Sequence, residues 1–462
     1  MPEIPLINPE SQGTYPQNMR YVTEWDNGKP AMVKTPGLSE YIDFATSTFP
    51  IRAMRIVGDY LYVLAGNTVY KVTSATTYSS IGTVSTNAGR AVMQDNGTYL
   101  MIAILGVNGY TYNISTDTFA IISDADFPVP GSLDYIDTYF IISSYDTQYF
   151  YISNSGDPTA WDATDYEDAE RIADVLLGIK IINGEVWAGG SHSLEVYQNT
   201  GNAAFPFERL SGIYHGVGVA SALCMVYEDN SLFFLDDKRM FRRTSGYTTK
   251  IISARGVAKD VQACSTISDC FGYSYVDKGD TFIVWTFPSE NKTWVYCVNT
   301  DLWHRWAGYP SDGRHRSNCY AYFNGKHLVG SFEDDIVYEL SDSNYHDAGH
   351  EIRSILVLPE IFDEGKDIEF SNFRLETHTG TGLVADLTAP ATGEDPQVTL
   401  DYTNNRQRSW SNERMDALGK IGEYNERTIW DQLGTSDRRQ FRVTFTEPCE
   451  WVISSAYFNV DY

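Results

Sequence analysis

His346 and His350 stand four residues apart in His346-Asp347-Ala348-Gly349-His350, a spacing with which one helical face could present two imidazoles to a metal ion. Gly349 and the acidic flanks argue against a helix there, so no metal site is expected. His192, His215, His304, His315, His327 and His378 are dispersed and suit turn or core roles. Gly419-Lys420-Ile421-Gly422 holds a Gly-Lys pair without the upstream glycine or the Ser/Thr of a phosphate-binding loop, and reads as a turn. Neither G-x-S-x-G nor H-E-x-x-H occurs. Cys224, Cys264, Cys270, Cys297, Cys319 and Cys449 lie far apart with no C-x-x-C pair, which indicates neither a zinc module nor a small disulfide scaffold. No catalytic residue, metal or cofactor is expected, and the chain reads as a non-enzyme.

Carboxylates are plentiful, so hydrolysis of a glycoside has to be weighed. Thr403-Asn404-Asn405-Arg406-Gln407-Arg408-Ser409-Trp410 resembles a degenerate Asp-box, the S-x-D-x-G-x-T-W hairpin of sialidase-like folds. In that motif the acidic side chain bonds the turn backbone while the Trp packs beneath, which is a structural role. Here Asn405 and Gln407 occupy the Asp and Gly positions, only one copy is present, and no spacing points to the arginine trio of a sialidase.

The elements that must position these residues are β-strands. Of 462 residues, 14% are aromatic, and aromatic rings favour a pleated, half-buried surface. Only Arg171 to Leu177 and Met415 to Lys420 read as short helices. The apolar share of 42% supports real cores, and 21% charged residues is too few for a disordered chain. A net charge of -27 without any basic block argues against an ordinary phosphate-binding surface. It fits solubility by self-repulsion, or a surface that lies near DNA without adhering to it. Met1-Pro2-Glu3-Ile4-Pro5-Leu6 has no basic or apolar leader pattern, so no signal peptide is expected. Runs such as Tyr60 to Ala65 are too short to span a bilayer, and no membrane insertion is expected. The N-x-[ST] matches at Asn96, Asn113 and Asn291 are read as chance.

One unit recurs: a turn, an apolar run, a short polar turn, then an alternating run. The first copy is Gly58-Asp59, Tyr60 to Ala65, Gly66-Asn67, Val69 to Val72. Later copies centre on Tyr99 to Leu105, Tyr139 to Ser143, Glu185 to Gly189, Leu232 to Leu235, Phe282 to Phe287 and His327 to Gly330. The spacing of roughly 40 to 50 residues is that of a four-stranded propeller blade. Asn-Gly and Gly-Asn dipeptides supply the positive φ of tight turns. A near-continuous apolar run fits an inner strand covered by neighbouring blades on both faces, and an alternating run fits a position nearer the rim. Seven copies predict about seven blades, with six and one irregular unit as the alternative. A series of β-sandwiches or an open array would be the competing architectures.

The expected organisation is all-β: an N-terminal segment over 1–50, a β-propeller over 51–345 and a β-sandwich-like C-terminal domain over 346–462. The last repeat looks short of an outer strand, which Leu38 to Phe44 could supply. Ile352 to Leu358, Phe370 to Thr377, Val398 to Tyr402, Gln440 to Phe445 and Trp451 to Val460 read as the sandwich strands. Gly380 to Gly382 and Ala389 to Pro396 read as its loops.

The C-terminal domain also carries an ordered series. Val398 to Tyr402, Ser409-Trp410-Ser411, Leu418-Gly419-Lys420-Ile421-Gly422-Glu423-Tyr424, Arg427, Trp430, Leu433-Gly434, Arg438 and Phe441-Arg442-Val443 follow one another in it. It resembles the end of the packaged-DNA stabilisation proteins, the tail hub or nozzle components of short-tailed bacteriophages. Tyr15 to Met19, Thr35 to Leu38, Gly156 to Trp161, Leu177 to Ile179, Leu194 to Tyr197 and His215 to Gly218 agree in order, so the resemblance runs nearly the full length. Thr435-Ser436-Asp437 departs from it, where the family is often more basic. The resemblance implies a homohexameric ring below the portal and adaptor ring, assembled in the host cytoplasm. Such a ring would continue the DNA channel, help retain packaged DNA and dock tail spikes, fibres or a needle. Double-stranded DNA would then pass an acidic lumen without sequence-specific binding. Trp410, Gly419, Trp430, Gly434, Arg438 and Phe441 are its expected structural and assembly motif. The alternative function is a receptor- or glycan-binding propeller on a host-facing appendage, which would show exposed aromatics clustered at one mouth.

Overall fold

The computed structural model describes residues 3–6, 15–25, 28–45, 49–169, 174–383 and 393–461. Each repeat folds as a four-stranded antiparallel meander, the first being Ile51–Val57, Tyr60–Ala65, Thr68–Ser74 and Thr77–Thr83. Among the described residues seven such sheets follow one another, the seventh with three strands of its own, and the opening strand of each lies against the opening strand of the next. Ser317–Phe323 of the seventh returns to Ile51–Val57 of the first, so the ring closes. The apolar runs that mark the repeat are the second strand of each blade, not the strand at the axis. Tyr60–Ala65 is buried at five of six positions, whereas Ile51–Val57 shows a half-exposed centre because one of its faces lines the axial channel. Tight turns between the strands hold Asn183 and Gly184 at φ of 50° and 81°, and Asn324 and Gly325 at 51° and 75°. These are left-handed conformations that Asn and Gly tolerate best.

Neither expected helix forms where it is described; each is part strand and part connection. Arg414–Ala417 and Leu176–Ile182 pair in sheets, while residues 171–173 lie outside the described residues. The one helix among the described residues is Arg255–Gln262, between the fifth and sixth blades. It buries Val257, Ala258 and Val261, and the Val257 amide donates to the Tyr15 hydroxyl at 3.3 Å. Its eight residues are too few for a helical period to stand out from the surrounding strands.

The N-terminal segment does more than complete a blade. Gly37–Asp43 pairs antiparallel with Ile336–Ser341 as the fourth strand of the seventh blade. Ahead of it, Met19–Val22 and Ala31–Lys34 form a hairpin whose second strand pairs with Val452–Asp461, and Glu3–Ile4 pairs with that same C-terminal strand. The first sheet of the sandwich is completed by Ile368–Thr377 and Thr428–Ser436. The second contains Ser354–Val357, Arg438–Phe445, Gln397–Thr403 and Arg414–Ala417, with Ile361–Phe362 at its margin. One core fills the space between them, built on Phe370, Phe373, Trp430, Phe441 and Trp451. Of the expected loops, Gly380 to Gly382 is described as one, and 384–392 lies outside the described residues.

Residues 16–20 fasten the two domains. Gln17 bridges Arg305 of the sixth blade on one side and Ile355 of the sandwich on the other. Asn18, at φ 51° and 3% exposed, donates from Nδ2 to the carbonyls of Ala307 and Arg353, both at 2.9 Å. Its Oδ1 accepts the Ala307 amide at 2.8 Å. Arg20, on a sandwich strand, reaches Asp277 at 2.8 Å and Asp342 at 2.7 Å, carboxylates of the sixth and seventh blades. A guanidinium 4% exposed between two carboxylates is expensive to remove one-sidedly, because the stranded acids keep their desolvation cost. Arg20→Leu should cost about 3 kcal/mol in urea unfolding and split one transition into separate propeller and sandwich transitions. Asp277→Asn, which leaves Asp342 in place, should cost less.

Lys34 adds a pH dependence. Its ammonium is buried and donates to the carbonyls of Glu447 at 2.8 Å and Tyr345 at 3.3 Å, without a paired carboxylate among the described residues. Burial pushes its pKa down to about 8, against the opposing pull of Cys449, Glu447 and Glu351. The unfolded chain holds that proton more tightly, so the penalty is full below pH 8 and fades as pH rises towards the ordinary lysine value. Lys34→Met, which removes the charge but strands those two carbonyls, should lose about 2 kcal/mol of stability relative to the parent in chemical denaturation on going from pH 7 to pH 10.

Candidate functional site

Three residues of the expected C-terminal motif meet in the sandwich core. Phe441 on Arg438–Phe445 is fully buried and stacks at 4.6 Å on Phe373 of the facing sheet. Trp430 on Thr428–Ser436 packs on the same Phe373 ring at 5.8 Å, while its Nε1 donates to the Arg414 carbonyl at 3.1 Å. Gly434 lies opposite Phe370 at φ 77°, where the register between Thr428–Ser436 and Ile368–Thr377 shifts. It is the bulge that lets that strand bend over the core.

The other three stand apart from this contact. Trp410 is half-buried with the Arg442 guanidinium 4.2 Å from its ring centre, and Arg442 Nε donates to buried Asp401 at 2.9 Å. Asn405 does in the preceding turn what the Asp of an Asp-box does: its Oδ1 accepts the Ser409 amide at 3.0 Å. Gly419, at φ 85°, turns the loop that presents Ile421 and Tyr424 to solvent, 53% and 71% exposed. Arg438 is half-buried and pairs with Asp437 at 3.2 Å.

Arg439 is the central residue that reasoning from sequence missed. It is 1% exposed, its guanidinium lies 4.4 Å from the Phe370 ring and 4.1 Å from the Tyr402 ring, and it donates to Asn404 Oδ1 and the Leu433 carbonyl. The signal was parity: Arg439, Phe441, Val443 and Phe445 alternate along one strand and all are buried.

No group of three or more His, Cys, Asp and Glu is placed to hold a metal ion among the described residues. His346 and His350 sit on two short strands around the Ala348-Gly349 turn, and His350 stacks on Tyr309 at 4.7 Å. One opening of about 860 Å³ lies beside the helix Arg255–Gln262, and two others lie on the propeller axis. Towards the start of the opening strands the channel holds a cavity of about 220 Å³, lined by Arg52, Arg90, Lys180 and Asn318 among others. Towards their ends it widens to about 780 Å³ between Tyr227, Tyr273, Tyr320, Tyr322 and His327. Tyr273 and Tyr320 stack there at 5.6 Å, and Tyr322 is 55% exposed.

Residues 8–345 match the family model described as bacteriophage P22 Gp10, beta-propeller, and residues 354–461 match the one described as bacteriophage P22 Gp10, beta-sandwich. A comparison with curated proteins found no match. Among solved structures, the extracellular domain of a one-component system from B. thetaiotaomicron is similar at 12% identity and a TM-score of 0.46, over 77% of this chain and 47% of that one. This chain thus spans about half the length of that domain. A computationally designed protein, Ika8, is similar at 9% identity and a TM-score of 0.40, over 65% of this chain and 99% of that one. Likenesses of this size say nothing further about the molecule.

The two glycines of the motif separate backbone strain from crowding. A Cβ at Gly434 would meet nothing within 4 Å, whereas at Gly419 it would lie 2.8 Å from the Glu423 carbonyl oxygen. Gly434→Ala should cost about 1 kcal/mol in thermal or urea unfolding, and Gly419→Ala clearly more.

Proposed function

Since the chain belongs to the bacteriophage P22 Gp10 family of structural proteins that stabilise packaged DNA, we propose that it forms a six-membered ring in the phage tail. It is a structural component of the virion. In this reading the ring sits below the portal and adaptor, continues the DNA channel, helps retain the packaged genome and docks spikes, fibres or a needle. Assembly takes place in the host cytoplasm. The observation that carries the reading is that both domains of the family occur in one chain and are fastened to each other by residues 16–20. A propeller without open ring ends and a sandwich locked to it make a stiff subunit, which suits a part that bears load.

The dimensions of the propeller support a DNA path between copies rather than through one. A cavity of about 220 Å³ on the axis cannot pass a duplex, whose major groove alone is about 12 Å wide. With -27 per chain, a ring of copies would present phosphates with a repelling wall, so DNA would slide without being held in place. The solvent-facing Ile421 and Tyr424 lie within the loop of the family-like series and are the contacts we assign to subunit assembly.

A second reading, a glycan-binding propeller, is favoured by one observation: the tyrosine cluster around the wide channel mouth. One experiment separates the two. In electron micrographs of the chain mixed with portal–adaptor complexes, six-fold density beneath the adaptor is expected. Free monomers beside bare adaptors, at concentrations well above those of the complex, would overturn the ring and leave the glycan reading standing.

A further inference from the structure

The narrow end of the propeller channel has a charge balance unlike that of the rest of the chain. Arg90 immediately precedes the opening strand Ala91–Asp95 of the second blade. Its guanidinium lies 3.6 Å from the centre of the Phe271 ring, and Nη1 donates to Asn318 Oδ1 at 2.8 Å. No carboxylate of the described residues comes within ion-pairing distance of it: each of the ion pairs involves another cation. Arg52 beside it donates to the carbonyls of Gly66, Thr86, Ala88 and Gly89, and likewise has no carboxylate partner among the described residues. Those four bonds fix the loop leading into Arg90. Lys180, from the fourth blade, also lines the cavity and lies 3.5 Å from Asp134. Asp134 is already occupied by the Gln94 side chain and by the Tyr135 and Ile181 amides, at 2.9, 2.9 and 3.0 Å.

Three cations and no carboxylate line a cavity of about 220 Å³ in a chain of net charge -27, with saturated Asp134 and the more distant pull of Asp269 on Arg90 outside that lining. Walls of low dielectric constant focus such a field into the opening. Among the described residues, only Nη1 of Arg90 has a protein acceptor, which leaves the other donors of a rigid five-donor fork without one. Burial, and then the like charge of Arg314, push the Arg90 pKa down to about 10. Arg314 is itself without an ion pair among the described residues and lies 3.3 Å from the centre of the Phe332 ring. A bound anion would relieve both effects.

We propose that this end of the channel is a binding site for a small tetrahedral oxoanion of the phosphate class, held by Arg90 together with Lys180 of the fourth blade. Charge-assisted hydrogen bonds to a guanidinium are the strong interaction available there, and phosphate geometry matches the fork. The site is independent of the ring, because every residue in it belongs to one propeller.

Isothermal titration of the full-length chain with inorganic phosphate at low ionic strength tests it, with succinate as a second arm. One saturable site for phosphate is expected. Arg90→Gln should weaken it at least about tenfold, and Lys180→Gln several-fold, since each removes a charged donor. Lys366→Gln, at an exposed pair with Asp363 away from the cavity, should bind as the parent does. Near-UV circular dichroism checks that each variant is folded, and Lys180→Gln decides the matter if Arg90→Gln is not. Absence of saturable heat, unchanged affinity in the deciding variant, or binding of succinate without phosphate would each overturn the proposal.

Discussion

Every antiparallel sheet leaves two edges whose amides and carbonyls need partners, and this chain makes seven blades and a two-sheet sandwich out of them. The segment from Gln17 to Asp43 is where that demand is met. It bridges the sixth blade to the sandwich at Gln17, enters the sandwich with Met19–Val22 and Ala31–Lys34, and finishes the seventh blade with Gly37–Asp43. Without it the ring lacks its last strand and the sandwich loses one margin. The stability of both domains is therefore tied to about thirty residues that belong wholly to neither.

The polar groups along this segment explain why the attachment has one geometry. A purely apolar seam tolerates sliding, because burial is non-directional. Asn18 cannot slide: its amide is matched to one carbonyl from each domain and to one backbone amide. Arg20 is held between carboxylates from two adjacent blades, so it reports on their spacing as well as on the sandwich. Lys34 carries a cost of burial at neutral pH, offset by two backbone carbonyls that no apolar residue could satisfy. Buried polar groups of this kind contribute less to net stability than to uniqueness.

The blades were legible because their second strands are largely buried on both faces, so Tyr60–Ala65 and its six counterparts appear as mostly apolar runs at a regular spacing. The strands at the axis were not, since Ile51–Val57 mixes Arg52 and Arg55 with apolar residues to suit a polar channel. Met19–Val22 and Ala31–Lys34 are four residues each and carry no period, and their partner lies more than four hundred positions away. In the sandwich, Trp430 and Phe441 stood out as large apolar residues in an ordered series. Arg439 did not, because a charge in a strand reads as surface until the parity of Phe441, Val443 and Phe445 is taken into account. The channel cations were invisible for a similar reason: Arg52, Arg90 and Lys180 are brought together by ring closure alone, from three separate blades.

The placement of Gly37–Asp43 beside Ile336–Ser341, and of Ala31–Lys34 beside Val452–Asp461, also dictates an order of events during synthesis. The amino-terminal strands leave the ribosome first, while the strands that receive them are made last. Blades one to six can zip from local hairpins as they emerge, but the toroid cannot lock until Ile336–Ser341 arrives to receive Gly37–Asp43, and the sandwich waits longer still, for Val452–Asp461. Long-range pairing of this sort is slow, because the loop entropy is lost before any contact rewards it. The nascent amino terminus must wait as a strand-forming tether, and a chain truncated by even its final ten residues would close its ring but leave Ala31–Lys34 and Ile368–Thr377 without the sandwich strand that joins them.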